Sequence, residues 1–436
     1  MTAGSWKALI GLLVLTMGTS TITPLLPLYK EHFGLSTGAS TLLFITYTLT
    51  VCPTMLLAGN LSDRLGRKAL LLPSMACMGL ASLVFATAES VPMLFAGRFL
   101  QGLAIGGFLG VGAAFVVDHA RPESKALAAS LAGVFFTLGF GLGPGLAGLV
   151  AQYGRDPRHT PFWGHMVLMA IGIVAVATAS ETLARRRGAG RLRIRVGVPE
   201  GQLAGFMTFI APATFMMSFI QGTLLSVVPI FVFDTLGVHN LAVLGAIGFL
   251  VLALAGVAPF IGGRLDPRRA VMVGVSTASL LTLLVVASSG LDAAWLVIVA
   301  AAAIGLSLGF ILFGGTVICG TIAPIEERGK LMSVLYVCAY AGTIPTVGLG
   351  YMADAIGLTA TLAIFSAVAI VVPPGGGEQV PPRHDRLRLA LRQLRRLRAR
   401  KGRVAAAMHG IELRRAAVDL QVENVGAIIV PGKIVA

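Results

Sequence analysis

Long blocks of apolar residues without a single charge constrain this chain more than any other feature. Positions 69–87 and 270–287 contain no Asp, Glu, Lys or Arg, and similar blocks recur along most of the sequence. About 20 apolar residues wound as a helix match the roughly 30 Å hydrocarbon thickness of a bilayer. Inside that thickness the backbone must satisfy its own hydrogen bonds, so each block is read as a membrane-spanning helix. Composition agrees: 56% of the 436 residues are hydrophobic and 12% charged, with mean hydropathy +0.85, a balance that leaves too little polar surface to cover a soluble core.

Spans are expected at 6–28, 39–58, 69–87, 91–117, 126–150, 163–183, 203–233, 239–261, 270–288, 292–318, 331–351 and 357–372. The first block is longer than a signal-peptide core and lacks a convincing cleavage site, so it is read as an uncleaved span. Twelve spans put both termini on one side, and positive charge says which side. With the N-terminus inside, the inner segments before the tail hold seventeen Lys and Arg: Lys7, Arg64, Arg67, Lys68, Arg121, Lys125, Arg185, Arg186, Arg187, Arg191, Arg193, Arg195, Arg264, Arg268, Arg269, Arg328 and Lys330. The outer loops hold three, Lys30, Arg155 and Arg158. Both termini are therefore expected in the cytoplasm.

A basic stretch at about 184–202 divides the spans into two groups of six, 1–183 and 203–372. The groups repeat. Pro27 corresponds to Pro229 and Pro122 to Pro324 at an offset of 202, while Gly59 and Asp63 correspond to Gly262 and Asp266 at 203. A duplicated six-span unit is the arrangement in which a transport site lies between two repeats. Residues 373–436 form a separate basic tail with 13 Lys and Arg against five acids. Its Leu387, Leu391, Leu394 and Leu397 recur at helical spacing among arginines. That pattern fits an amphipathic helix on an anionic leaflet, or simply a solvated tail.

The segment GNLSDRLGRK, residues 59–68, follows the second span. Gly66 can supply a backbone conformation other residues resist, and Asp63 can approach a helix N-terminus, where the dipole favours an anion. A generic basic loop would explain Arg64, Arg67 and Lys68 but not the glycines or the aspartate. With Gly59, Asp63, Arg64, Gly66, Arg67 and Lys68 in place, the sequence resembles the major facilitator superfamily. That resemblance covers about residues 6–372. It implies an all-α membrane protein of twelve transmembrane helices in two six-helix pseudo-repeats. It also implies that this loop latches the two halves on the cytoplasmic side, with Asp63 facing the start of span eleven. Asp118, at the inner end of span four, stands where an acid joins that network, or is an ordinary interfacial acid.

Span four contains RFLQGLAIGG, residues 98–107. Arg98 sits seven residues after Val91, about 10 Å along the helix. A charge at that depth is costly and normally faces protein or a water-filled cavity, although an arginine can also snorkel outward. The cost favours a cavity position, with Gln101 on the same face. Span five, LAGVFFTLGFGLGPGLAG (131–148), presents Gly139, Gly143 and Ala147 as a small-residue stripe, with Gly148 beyond it, and Pro144 bends the helix. This pattern resembles the antiporter motif of drug exporters, with Ala147 and Ser130 replacing glycines, though such a stripe would serve packing in any bundle. Gly18, Pro24 and Pro27 resemble the first-span motif of twelve-span drug:proton antiporters. Ser218, Gln221, Thr223 and Ser226 of span seven, and Tyr336, Tyr340 and Thr343 of span eleven, are candidate cavity lining, unless their hydroxyls bond their own backbone.

The resemblance implies proton-coupled efflux of small lipophilic or amphiphilic compounds across the inner membrane by alternating access. A polar-metabolite facilitator, or a membrane sensor acting through the tail, remains as an alternative. Spans one and four lack the carboxylate many proton-coupled exporters carry, and Asp234 is the nearest alternative proton carrier, or a helix-end charge. Expected partners are a small-molecule substrate, protons and the lipid bilayer, with the chain acting as a monomer. No nucleotide loop, metal-ligand cluster or nucleophile–base spacing supports an enzyme, a cofactor or a metal. Cys52, Cys77, Cys319 and Cys338 sit inside apolar blocks. The pI of 10.4 reflects inner loops and tail and does not imply nucleic-acid binding.

Overall fold

The computed structural model describes residues 1–182, 197–199, 202–262, 265–323 and 327–371, apart from the side chains of Gly59, Asn60 and Asp63. The expected linker, except for a few residues, and the basic tail with its leucine pattern therefore lie outside the described residues. Among those residues every regular element is helical. Eleven helices are long and apolar enough to cross a membrane: Ala3–Phe33, Thr37–Ala58, Lys68–Ala86, Val91–Asp118, Pro122–Tyr153, Thr160–Ala177, Leu203–Asp234, Leu241–Gly262, Pro267–Gly290, Trp295–Ile322 and Arg328–Ile356. Leu358–Val371 is a shorter twelfth, 14 residues long, as the short last block of the sequence leads one to expect. They are called spans one to twelve below.

Two boundaries differ most from expectation, each for a local reason. The turn expected over 59–68 is narrower, because the second helix continues through Leu65 and reverses only at Gly66, whose φ of +96° suits glycine. Span six ends at Ala177 instead of running to 183. The chain beyond it folds back so that the Glu181 carboxylate accepts from the Arg67 and Lys68 amides, 3.1 and 3.0 Å, at the start of span three.

Several spans are interrupted inside the bundle. Span one breaks after Ser20, passes through a short 3-10 turn at Thr23–Leu25 and resumes at Leu26, because Pro24 and Pro27 remove two helix donors. Span four breaks at Leu109 and Gly110, the latter at φ +71°, and span eleven breaks before Pro345. Spans one and seven, which the repeat makes equivalent, are the most enclosed. In each, 89% of the most apolar stretch is buried, against 28% in span five. They are the central helices.

The halves meet along spans five and eight and along spans two and eleven. A β-carbon on Gly148 would fall 2.8 Å from the Gly245 α-carbon, and Gly350 lies against Gly38 and Thr41, so backbones approach where a side chain would hold them apart. The apolar core runs across both halves at one end, joining Ile22, Leu26, Phe44 and Phe162 to residues of spans seven to twelve. At the other end, the one carrying the 59–68 segment, residues such as Leu12, Met75, Phe115 and Val176 form a separate cluster within the first half. Among the described residues, the buried apolar core that joins the two halves lies toward the far end.

Candidate functional site

Arg98 is fully buried, and its guanidinium does not reach outward. Its Nη1 donates to the Thr19 carbonyl at 2.9 Å and to Gln101 Oε1 at 2.7 Å. Nε donates to the Leu43 carbonyl at 3.2 Å, and Nη2 to the Phe44 carbonyl. The ring of Tyr47 lies 4.4 Å below the guanidinium carbon, and that of Phe44 at 5.1 Å. Gln101 in turn donates to the Gly18 carbonyl at 2.8 Å. The break in span one explains two of these partners, the Gly18 and Thr19 carbonyls: a helix that ends at Ser20 leaves its last carbonyls without intrahelical donors, with the negative end of its dipole among them. Arg98 and Gln101 take up those carbonyls and tie spans one, two and four together.

Next to them the hydroxyls of Thr19 and Thr23 are buried and make no hydrogen bond with any described residue. The other polar residues of the central spans largely bond their own helices: Thr16 to Leu12, Thr21 to Met17, Thr223 to Phe219 and Ser226 to Gly222. Gln221, Tyr336 and Tyr340 are partly buried on spans seven and eleven. Tyr340 packs against the basic-end cluster of the first half, and Thr343 reaches Thr48 at 3.5 Å. The seam between spans two and eleven thus carries Tyr47, Thr48, Tyr340 and Thr343.

One buried group escaped the sequence reading. His165 of span six is 4% exposed; Nε2 donates to the Val14 carbonyl at 2.9 Å, and Nδ1 lies 2.7 Å from Ser82 Oγ. Ser82 Oγ is also 3.1 Å from the Met78 carbonyl. The neutral imidazole accepts the serine proton at Nδ1. A charged one would donate there while serine turned its proton to Met78, so both states fit the same heavy-atom positions. The signal available was a lone histidine in an uncharged span, with Gly18 leaving room opposite its ring.

Span five divides its glycines between two neighbours. Gly139 and Gly143 lie on span one, against the Leu13 and Met17 carbonyls, while Gly148 lies on span eight. Pro144 cannot donate to the Phe140 carbonyl, and the Ser20 hydroxyl of span one does so instead at 2.5 Å. Pro144 therefore docks two helices as well as bending one.

At the basic end Arg67 pairs with Asp118, Nε to Oδ2 at 3.2 Å, and donates to Ser62 Oγ at 2.8 Å. Lys68 Nζ caps the end of span six through the Ala177 and Ala179 carbonyls, 2.7 and 2.8 Å. Arg64 lies in the last helical turn before Gly66. Gly59 and Asp63 are helical, and the position of the Asp63 carboxylate lies outside what is described. Asp234 sits at the far end, where its carboxylate meets Lys30 at 2.7 Å beside a cleft of about 350 Å³ lined by Glu31, Phe233 and His239.

A twelve-helix bundle of two repeats, with a broken central helix and a buried cation at the break, defines a polytopic membrane transporter. The chain belongs to the Major Facilitator Superfamily, whose profile matches residues 8–346. It is similar to the bacillibactin exporter of Bacillus subtilis (31% identity over 148 residues, 32% of this chain and 37% of that protein) and to multidrug resistance protein 1 of the same organism (24%, covering 48% and 51%). It is also similar to the quinolone resistance protein NorA of Staphylococcus aureus (24%, covering 36% and 39%). In each case the match spans about half or less of the relative. In fold it resembles a POT family transporter solved with 5-aminolevulinic acid (TM-score 0.72, 13% identity, 84% of this chain and 94% of that one). The human organic anion transporter MFSD10 is similar as well (TM-score 0.56, 18% identity, covering 85% and 97%).

Proposed function

We propose that this transporter exports small lipophilic or amphiphilic compounds from the cytoplasm in exchange for protons, by alternating access across the inner membrane. The observation that carries the reading is the chemistry of the residues packed around the break in span one. Beside the Arg98 site lie two unbonded hydroxyls, Thr19 and Thr23, and the seam adds the aromatic rings of Tyr47 and Tyr340. Apolar and aromatic lining with few polar groups suits lipophilic cargo. Its relatives include proteins named for siderophore export and for drug and quinolone resistance. The excess of Lys and Arg at the 59–68 end supports placing that end in the cytoplasm.

In this reading Gly59, Asp63, Arg64, Gly66, Arg67, Lys68 and Asp118 hold the cytoplasmic end when the opposite end opens. Arg98, Gln101, Gln221, Tyr336 and Tyr340 serve the transport path, and Asp234 closes the far end with Lys30. Gly148, against span eight, belongs to the bearing on which the halves move, while Gly139, Gly143 and Pro144 hold span five to span one. The chain works as a monomer, with residues 184–202 as linker and 373–436 as a cytoplasmic tail. The test is transport by the purified full chain in proteoliposomes, with a pH gradient imposed and a panel of lipophilic cations and amphiphilic antibiotics. Uphill movement driven by the gradient supports the proposal; transport of sugars or organic acids alone would overturn it.

A further inference from the structure

The far end is held by two cross-half contacts that repeat each other. At the start of span two, Ser36 caps its own helix by accepting from the Ala39 amide at 3.1 Å. The two amides before it, Thr37 and Gly38, donate instead to the two carboxylate oxygens of Asp354 at the end of span eleven, 2.7 and 2.8 Å. At the start of span eight, Asn240 caps its own helix through Ala242 and Val243, at 2.9 and 3.2 Å. The amide before those, Leu241, donates to Gln152 Oε1 at the end of span five, 2.7 Å.

Gln152 and Asp354 stand 202 positions apart, and Gly38 and Leu241 stand 203 apart. These are the offsets of the internal repeat. Spans five and eleven are equivalent, as are spans two and eight, so one device occurs twice, each copy reaching from one half to the other. We infer that Gln152 and Asp354 are a duplicated latch: each accepts, through side-chain oxygen, the first helix amides of the opposite half, and together they hold the far end shut in this state. The free amides of a first turn carry the positive end of the helix dipole and need an acceptor. When the halves part at that end, those amides lose their partners together. The charged copy is the stronger, since Asp354 takes two amides with full negative charge at charge-assisted distances. Gly38 and Gly350 permit the approach by removing the side chains that would separate spans two and eleven.

This inference rests on the alternating-access reading above. The test uses the full chain with Cys52, Cys77, Cys319 and Cys338 replaced, a reporter at Thr48→Cys in the seam, and a membrane-impermeant maleimide added from the far side. Asp354→Ala raises the far-side labelling rate about tenfold, Gln152→Ala by less, and the double variant by more than either. Asp354→Asn keeps the shape, covers the case in which the alanine protein fails to fold, and falls between parent and Asp354→Ala. If the parent labels from the far side when a pH gradient or substrate is applied, while the variants match it throughout, the latch is overturned and alternating access stands. If the parent cannot be labelled from that side under any gradient or substrate, alternating access fails and the latch fails with it.

Discussion

Arg98 carries a full positive charge in surroundings where an unpaired ion costs several kcal/mol, and all four of its acceptors are uncharged oxygens. The guanidinium suits this because its fork serves several carbonyls at once and its flat face rests on Tyr47. A lysine has one nitrogen to place and cannot span spans one and two. Arg98→Lys is therefore expected to lose most transport, and Arg98→Ala to lower stability by roughly 2–4 kcal/mol as well. Proteoliposome flux and thermal unfolding in detergent check both; full activity in either variant would remove Arg98 from the transport path. Ser20 offers a second test. Ser20→Ala leaves the Phe140 carbonyl without a donor, at about 1–3 kcal/mol. Pro144→Ala returns a helix amide to that carbonyl, so adding it should make the loss of Ser20 cheaper, which a double-mutant cycle in thermal unfolding measures. The depth of Arg98 was legible from its distance to the helix start. Its partners were not, because backbone carbonyls carry no sequence signature and the approach of spans one and two to span four is a tertiary fact.

Among elements, span five shows what a small-residue pattern can and cannot say. Gly139 and Gly143 announced a close approach, but four-residue spacing cannot tell which neighbour comes close, and here glycines a turn apart serve spans one and eight. Gly148→Leu would drive a side chain into the Leu241 carbonyl and the Gly245 α-carbon, neither of which is flexible. It is expected to cut transport by at least about tenfold while the protein remains folded, since the first half can keep its own core. Transport and gel-filtration profiles separate the two effects. Helix positions were legible to within a few residues because apolar length dictates them. Ends set by a distant side chain, such as the one Glu181 turns, were not.

Over the whole molecule, the repeat and the span count followed from sequence because duplication preserves spacing. The sidedness proposed above rests on charge alone. Cysteines introduced at positions 64 and 268 are expected to react with impermeant reagents only from the cytoplasm, and labelling of either from outside would reverse the orientation argued above.

The Arg98 site has an electrical consequence. A cation held without a counter-ion at depth is a charge fixed to the first six helices, and a membrane potential acts on it at about 2.3 kcal/mol per 100 mV for a full crossing. Rocking that carries it through even a tenth of the membrane couples the resting voltage to the balance between states by roughly 0.2 kcal/mol. A carrier built this way feels the voltage across its membrane even when its cargo is neutral.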